Sequence, residues 1–289
     1  MSGHDAGEVR EFSFEGFRYS CRVVTAHRPR LDPVLILGGA FQDKDSWRQH
    51  QPYFGAMADL VTVDLPGWGD ADDLPARHGY DFLAAALEHL LDGLGRPRVN
   101  LVGASYGSLV AYCLAQRCPG RIVRMVLSGA FDGVPAHTRA THERTVELLE
   151  AGRTVEFTEV MLSLLAPRTR AGAADGRNEA LTRMLRAQFA AMTPQAAVRC
   201  AENSARVLAH PRLRPGGHDV PTLVLAGELD RCTPPETGRR VAAMIPGAAF
   251  VTVPDAGHLM WLERPRQFVG LLDDFFSGRS VGEPACGAR

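Results

Sequence analysis

The chain has 289 residues, 45% of them hydrophobic, and a formal net charge of −1 at pH 7. These values are typical of a globular protein with one large domain or two small ones. The near-neutral charge provides no basic surface for DNA, RNA or an anionic membrane, so no nucleic-acid or membrane partner is expected. No apolar run approaches the roughly 18 to 20 residues of a membrane helix, and the N-terminus MSGHDAGEVREF lacks a signal-peptide core, so we expect a cytoplasmic protein.

The predicted elements begin with an alternating segment, REFSFEGFRYSCRVV, which indicates an antiparallel hairpin turning at Glu15-Gly16. Further on, continuously apolar runs rich in Val, Ile and Leu predict strands that are buried on both faces. These runs are PVLILGG, DLVTVDL, RVNLVG, RIVRMVLSG, VPTLVLAG and AAFVTVPD.

Helical patterns lie between most of these runs. YDFLAAALEHLLDGLG from Tyr80 and ERPRQFVGLLDDFF from Glu263 both place apolar residues on one face, and Pro265 lies near the start of the second. Strands that alternate with helices predict an α/β fold, with a mostly parallel, twisted sheet covered on both faces.

The alternation stops between about Asp132 and Asp219, where helical periodicity replaces strand signals. FTEVMLSLL and LTRMLRAQFAAM are amphipathic, and the polar segment RTRAGAADGRNE between them predicts a loop. We therefore expect residues 1–131 and 218–278 to form the core domain and residues 132–217 a helical cap. This cap is interpreted as a lid, with a packing annex as the alternative. The tail, residues 279–289, has little to bury and is expected to be disordered.

A serine stands between two glycines where one apolar run ends and the next begins. Gly103-Ala104-Ser105-Tyr106-Gly107 is a G-x-S-x-G pentapeptide between a predicted strand and a predicted helix. A sharp strand-to-helix turn holds its central residue in strained backbone angles and exposes its hydroxyl at the carboxyl end of the sheet. Ser105 is therefore a candidate nucleophile, although the pattern alone is also compatible with a small-residue turn.

A serine hydroxyl needs a base, and the base needs an orienting carboxylate. Asp230 follows the strand in VPTLVLAGELDRCTPPE, and His258 follows the last strand in AAFVTVPDAGHLMWLERP. Each candidate thus comes directly after a predicted parallel strand, in the order Ser105, Asp230, His258. This common placement predicts a catalytic triad.

Taken together, GASYG, LAGELDRCTPPE and PDAGHLMWLERP resemble the motifs of the α/β-hydrolase superfamily, whose triad follows this order. The resemblance extends from the N-terminal hairpin to the helix at Glu263, and includes a cap inserted after VLSGAFDG. It implies that Ser105 is the nucleophile, His258 the general base and then acid, and Asp230 the partner that orients His258. The implied reaction is acyl transfer through an acyl-serine intermediate, followed by hydrolysis.

The resemblance also implies an oxyanion hole made of two backbone N–H groups. One belongs to Tyr106, after the nucleophile, and the second is assigned to Ala40 in LILGGAFQDKDSW, with Phe41 as the alternative. Many relatives have His-Gly where this chain has Gly38-Gly39.

Other carboxylates compete with Asp230 for the role of triad acid. Asp132 occupies a place that some relatives use for this carboxylate, but GELDRCTPPE matches the usual acid loop more closely. Asp255 is too near His258 in sequence to reach around its ring. Glu263 is expected to cap the final helix.

Several large side chains adjoin the proposed site in sequence and predict an apolar substrate pocket, with plain core packing as the alternative. They are Phe41, Trp68, Tyr106, Met260 and Trp261.

The predicted function is hydrolysis of a carboxylic ester, thioester or lactone of a small molecule. One alternative is hydrolysis of a C–C bond, although relatives with that activity often carry Trp directly after the catalytic histidine, where this chain has Leu259. Further alternatives on the same fold are a non-hydrolytic lyase or oxygenase and a ligand receptor with slow turnover. The oligomeric state cannot be read from the sequence.

No cofactor or metal is expected, because the chain contains neither an H-E-x-x-H motif nor a comparable ligand cluster. The six cysteines are scattered without a CxxC pair, which favours free thiols over a disulfide framework. Lys44 is the single lysine, so Schiff-base chemistry has one candidate amine. Abundant arginine with almost no lysine is typical of a GC-rich coding sequence and suggests a bacterial source.

Overall fold

A computed structural model describes residues 7–134, 136–167, 176–210 and 212–281. Within these residues one sheet has eight strands in the order β1-β2-β4-β3-β5-β6-β7-β8. The strands are β1 (Glu8–Phe14), β2 (Phe17–Val24), β3 (Val34–Leu37), β4 (Leu60–Asp64), β5 (Val99–Ala104), β6 (Ile122–Ser128), β7 (Thr222–Gly227) and β8 (Ala249–Val253). Each apolar run that was predicted as a strand coincides with one of β3 to β8, and β5 extends one residue beyond its run, to Ala104.

Helices connect the strands and cover the sheet. They are α1 (Gln51–Phe54), α2 (Tyr80–Gly93), α3 (Tyr106–Arg117), α4 (Ala136–Glu150), α5 (Thr154–Leu165), α6 (Gly176–Ala190), α7 (Pro194–Ala209), α8 (Pro235–Ala243), α9 (Met260–Glu263) and α10 (Pro265–Phe276). The final helix thus begins at Pro265 rather than at Glu263. None of the described helices combines the length and apolar character that crossing a bilayer would require.

The predicted hairpin is formed by β1 and β2, which pair antiparallel with Phe14 opposite Phe17. The turn residues Glu15 and Gly16 both have positive φ angles, 47° and 86°. Two positive φ angles at the centre of a two-residue turn match the twist of the flanking strands. β2 is also antiparallel to β4, and the remaining neighbours pair parallel.

The strand order places a crevice at the carboxyl end of the sheet. β3 lies between β4 and β5, so the chain leaves β3 toward one side and later returns to add β5 on the other. The loops that follow β3 and β5 therefore diverge, and ligands bind at such switch points in open α/β sheets.

The core lies on both faces of the sheet, as predicted. In β5, Leu101 belongs to the apolar cluster on one face and Val102 to the cluster on the other, and both are fully buried. Neighbouring strand residues point to opposite faces, so a strand covered on both sides is apolar at most of its positions.

Helices α4–α7 form the segment between β6 and β7 that was predicted as a cap. Arg206 of α7 is fully buried and joins this segment to the core by hydrogen bonds. Its guanidinium donates to the carbonyls of Leu74, Pro75 and His78, to Asn203 Oδ1 and to the Tyr106 hydroxyl. Residues 168–175 of the predicted loop and residues 282–289 of the predicted tail lie outside the described residues.

Candidate active site

The turn between β5 and α3 holds Ser105 in a backbone conformation that non-glycine residues rarely adopt, with φ 50° and ψ −114°. Its flanking glycines are required by space. A Cβ at Gly107 would lie 2.3 Å from the carbonyl oxygen of Leu37, and one at Gly103 would lie 2.7 Å from that of Gly107. The Ser105 amide donates to the Ser128 carbonyl at 2.7 Å, which ties the strained residue to β6. Such strain occurs where the surrounding structure over-determines a residue, as at functional sites.

Ser105, His258 and Asp230 form a continuous chain of hydrogen bonds. His258 Nε2 lies 2.9 Å from Ser105 Oγ, and His258 Nδ1 lies 2.9 Å from Asp230 Oδ2. Both oxygens of Asp230 accept from donors of Cys232 and Thr233, as an ionised carboxylate does, so we assign the His258 proton to Nδ1. Nε2 is then free to accept the serine proton.

Further donors hold the Asp230 carboxylate in place. Its Oδ1 accepts from the amides of Cys232 and Thr233 at 2.8 and 2.9 Å, and its Oδ2 accepts from the Thr233 hydroxyl at 2.8 Å. These bonds explain the tight GELDRCTPPE turn, in which the acid and its donors are close neighbours in the chain.

The electrostatic environment adjusts the basicity of His258. Burial acts to lower the pKa of its imidazole, but the charge and hydrogen bond of Asp230, together with the charge of Glu263, raise the pKa above the ordinary value. A histidine with this environment is suited to accept a proton from a hydroxyl group and return it.

The other carboxylates that were considered for the role of triad acid have no hydrogen bond to the His258 ring among the contacts that the structure describes. Asp132 Oδ1 is 3.4 Å from a guanidinium nitrogen of Arg240. The Asp255 amide donates to Glu228 Oε2 at 3.1 Å, at an exposed part of the loop. Glu263 does not cap α10, so that expectation was wrong: it ends the preceding helix α9, and its carboxylate turns back toward the loop of His258.

Hydrogen bonds with Gln42 and Trp68 hold the loop after β3 in place. Gly39 donates its amide to Gln42 Oε1 at 2.8 Å, and its carbonyl accepts from Trp68 Nε1 at 3.3 Å. Ala40 and Tyr106, the predicted oxyanion donors, line the same cavity as Ser105. The Tyr106 amide opens helix α3, where the first N–H groups have no partner within the helix. Sequence reasoning missed Gln42, whose role depends on a side chain that folds back on its own loop.

A cavity of about 300 Å³ opens above Ser105 and His258. Phe41 and Trp261, two of the residues that the sequence suggested for a substrate pocket, line it. Trp68 and Met260 do not, and for them the prediction was wrong. Trp68 lies beneath Gly39, with its ring centroid 4.8 Å from that of Tyr106, and Met260 is fully buried in the core.

Helices α4–α7, the segment that the sequence predicted as a cap and that is called the cap below, all contribute to the cavity. The lining residues of the cap are mostly apolar, and they include Met161, Leu165, Leu185, Phe189 and Val207. His142, Thr145, Gln188, Asn203 and Ser204 add polar groups. Among the lining residues that the structure describes there is no arginine or lysine, which favours a largely uncharged ligand.

Within the described ranges, no three His, Cys, Asp or Glu side chains are grouped as metal ligands. The cysteines that the structure describes carry free thiols, and Cys286 lies outside those residues. They are Cys21, Cys113, Cys118, Cys200 and Cys232.

The strand order, the crevice and the serine turn define the molecule as a protein of the α/β-hydrolase fold. The family model described as "alpha/beta hydrolase fold" matches residues 32–265, and the chain therefore belongs to this family of hydrolases.

Curated relatives match over most of their length. The chain is 28% identical over 269 residues to 2-hydroxy-6-oxononadienedioate/2-hydroxy-6-oxononatrienedioate hydrolase 2 of Pseudomonas putida, covering 84% of this chain and 87% of the relative. It is 26% identical over 249 residues to the pimeloyl-[acyl-carrier protein] methyl ester esterase of Neisseria meningitidis, covering 85% and 93%. The crystal structure of the enol-lactonase from Burkholderia xenovorans superposes with a TM-score of 0.79 at 22% identity, covering 93% of this chain and 100% of that one.

Proposed function

We propose that the protein is a serine hydrolase that cleaves a carboxylic ester, thioester or lactone of a fairly apolar small molecule. The observation that carries the proposal is the hydrogen-bonded chain from Ser105 through His258 to Asp230 at the base of the cavity. A serine on a strained turn, a histidine with a free Nε2 and a buried carboxylate behind it are the groups that acyl transfer requires.

In the first half of the reaction, Ser105 Oγ attacks the carbonyl carbon of the substrate while His258 Nε2 takes the hydroxyl proton. The amides of Ala40 and Tyr106 donate to the oxyanion that forms. His258 then returns the proton to the departing oxygen or sulfur as the bond to the acyl carbon breaks. In the second half, His258 takes a proton from water, whose oxygen attacks the acyl-serine, and Ser105 leaves with that proton as the acid is released.

The lining of the cavity supports the choice of substrate class. The aromatic part of its wall is formed by Phe41 and Phe189, whose ring centroids lie 5.2 Å apart, and both rings also pack edge to face against the buried Phe157. Such a wall binds an apolar acyl or alkoxy group, and the polar residues of the cap offer neutral hydrogen-bonding partners. The esterase of Neisseria meningitidis, by its name, acts on a methyl ester.

A second candidate function is hydrolysis of a C–C bond. It is favoured by the relative from Pseudomonas putida and by further curated relatives that are named as hydrolases of 2-hydroxy-6-oxo acids. The substrate named for the first of these, a dienedioate, carries two carboxylates. Since the described lining residues include no arginine or lysine, we place ester or lactone hydrolysis ahead of cleavage of such a dianion.

A turnover screen with a nucleophile variant tests the proposal. The wild-type protein should hydrolyse esters, thioesters or lactones with apolar acyl chains faster than it cleaves 2-hydroxy-6-oxo-dienoates. Ser105→Ala and His258→Ala should each lower kcat/KM by about a thousandfold or more while circular dichroism stays unchanged. Ser163→Ala on the surface of α5 is the control and should retain wild-type rates.

A fluorophosphonate probe supplies an independent test of the nucleophile. Peptide mapping should find the modification on Ser105. Labelling of another serine, or activity retained in Ser105→Ala, would contradict the proposal. Faster cleavage of the dienoates that depends on Ser105 would instead assign the C–C hydrolase activity. A single turnover followed by arrest would indicate a receptor.

A further inference from the structure

Glu263 is a fully buried carboxylate whose partners are the backbone amides around His258. Its Oε2 accepts from the Gly257 N–H at 2.8 Å, and its Oε1 accepts from the Leu259 N–H at 3.1 Å. These two residues directly precede and follow His258. One side chain thus holds the peptide groups on both sides of the proposed catalytic base.

The loop that carries His258 is also confined from its opposite side. A Cβ at Gly227, at the end of β7, would lie 2.1 Å from the carbonyl oxygen of Gly257. A Cβ at Gly257 itself would lie 3.1 and 3.4 Å from the two carboxylate oxygens of Glu263. The loop is therefore packed closely between the end of β7 and Glu263, and a methyl group added at Gly257 would require the carboxylate to shift by a few tenths of an ångström.

We propose that Glu263 is a positioning residue that fixes the imidazole of His258 in line between Ser105 and Asp230 and stabilises its protonated form. The inference rests on the proposed function, because it assigns His258 the role of base. Burying a carboxylate costs free energy unless it is hydrogen-bonded, and the two amides of this loop supply those bonds. A site that must hold its base within a fraction of an ångström benefits from such support.

The charges around both groups agree with this role. His258 faces Asp230 and Glu263 from the core and His142 from the cap. The charge of Glu263 acts to raise the pKa of His258, in the same direction as that of Asp230. Burial raises the pKa of Glu263 itself, against the opposing effects of the two amides, Arg264 and His258. The imidazolium formed during the reaction thus lies within the field of a second carboxylate that does not touch it.

The decisive variant is Glu263→Gln, which keeps the shape of the side chain but removes its charge. Its carboxamide has one acceptor oxygen, so one of the two amides must face an NH₂ group. The matched control is Glu228→Gln, because Glu228 accepts the Asp255 amide of the same loop at 3.1 Å. Both variants and the wild type are compared by an NMR titration of His258 in the resting protein and by steady-state kinetics.

We expect Glu263→Gln to lower the pKa of His258 and to lower kcat by about tenfold to a hundredfold with KM nearly unchanged. Glu228→Gln should match the wild type in both measurements. A His258 pKa that stays at the wild-type value would overturn the inference whatever happens to kcat, since lost stability alone would slow the enzyme. A lower pKa with unchanged kcat would contradict it equally.

A second variant covers the case in which Glu263→Gln does not fold. Gly257→Ala keeps the carboxylate but pushes a methyl group against it, and kcat should fall with KM nearly unchanged. Unchanged kcat in this variant would overturn the inference. The NMR titration needs no turnover, so it can be read even if the panel of esters and lactones fails and the proposed function with it.

Discussion

Asp230 and His258 are joined through Oδ2 and Nδ1 at 2.9 Å, and the Thr233 hydroxyl donates to the same carboxylate oxygen at 2.8 Å. Replacing the acid by Asn leaves the shape but allows the amide NH₂ to face Nδ1, which favours the wrong tautomer of His258. We expect Asp230→Asn to lower kcat/KM for the best ester by about a hundredfold or more. Asp132→Asn is the matched control because that carboxylate pairs with Arg240 instead, and a larger loss in this control would reassign the triad acid.

The pH dependence of turnover follows from the environment of His258. Its imidazole must be neutral to accept the serine proton, so activity is present above its pKa and is lost as the pH falls through it. Because this pKa is raised, the acid limb of kcat/KM should lie above the ordinary histidine value of 6.5. Asp230→Asn removes a charge that raises the pKa, so in that variant the limb should move to lower pH.

The free energy of unfolding should also depend on the protonation of His258, but it should decrease with rising pH where the activity increases. A histidine with a higher pKa in the folded state than in the unfolded state stabilises the fold fully below the unfolded pKa. This contribution is lost as the pH rises through the folded pKa. Urea unfolding across that range should show it in the wild type and lack it in His258→Ala, and equal profiles would contradict the assigned pKa.

The glycine after the serine should be intolerant of even one methyl group. We expect Gly107→Ala to lower the free energy of unfolding by about 2 to 3 kcal/mol, because its Cβ would lie within 2.3 Å of the Leu37 carbonyl oxygen. Gly120→Ala is the control, since a Cβ at Gly120 meets no atom within 4 Å. Equal urea midpoints for the two variants would show that the turn relaxes more easily than its packing indicates.

Arg206 should stabilise the fold through the junction between cap and core. Arg206→Met leaves the buried carbonyls of Leu74, Pro75 and His78 without their donor, and we expect the free energy of unfolding to fall by about 3 kcal/mol. Arg183→Met, at an exposed position of α6, removes the same charge from the surface and should change stability by less than about 0.5 kcal/mol. Chemical denaturation of both variants measures the difference.

The sheet and the hydrogen-bonded triad were predictable because their signals are local. Each parallel strand lies in a mainly apolar run, and Ser105, Asp230 and His258 each lie in the segment that follows one of these strands. Parallel strands end at one edge of the sheet, so residues far apart in the chain are brought together there by the topology.

The cavity was predicted less well, because proximity in sequence does not determine the direction of a side chain. Met260 and Trp261 are neighbours in α9, yet successive helical residues point about 100° apart, and one enters the core while the other reaches the cavity. The contributions of His142 and Gln188 depend on how the cap helices lie over the sheet. In the sequence, Glu263 resembles a helix cap because it comes shortly before Pro265, which starts α10. In the structure it ends the short helix α9, and its carboxylate points toward the loop of His258.

The single lysine of the chain has a consequence for chemical labelling. Lys44 is buried, and it lies in the same segment after β3 as Ala40. Its ammonium contacts Asp64 at 2.8 Å and Asp70 at 2.9 Å. Acylating reagents aimed at amines therefore find no accessible lysine on the native molecule. A reagent could reach this nitrogen only after the segment detaches from β4. The rate at which Lys44 is modified would therefore report how often the loop beside the nucleophile opens.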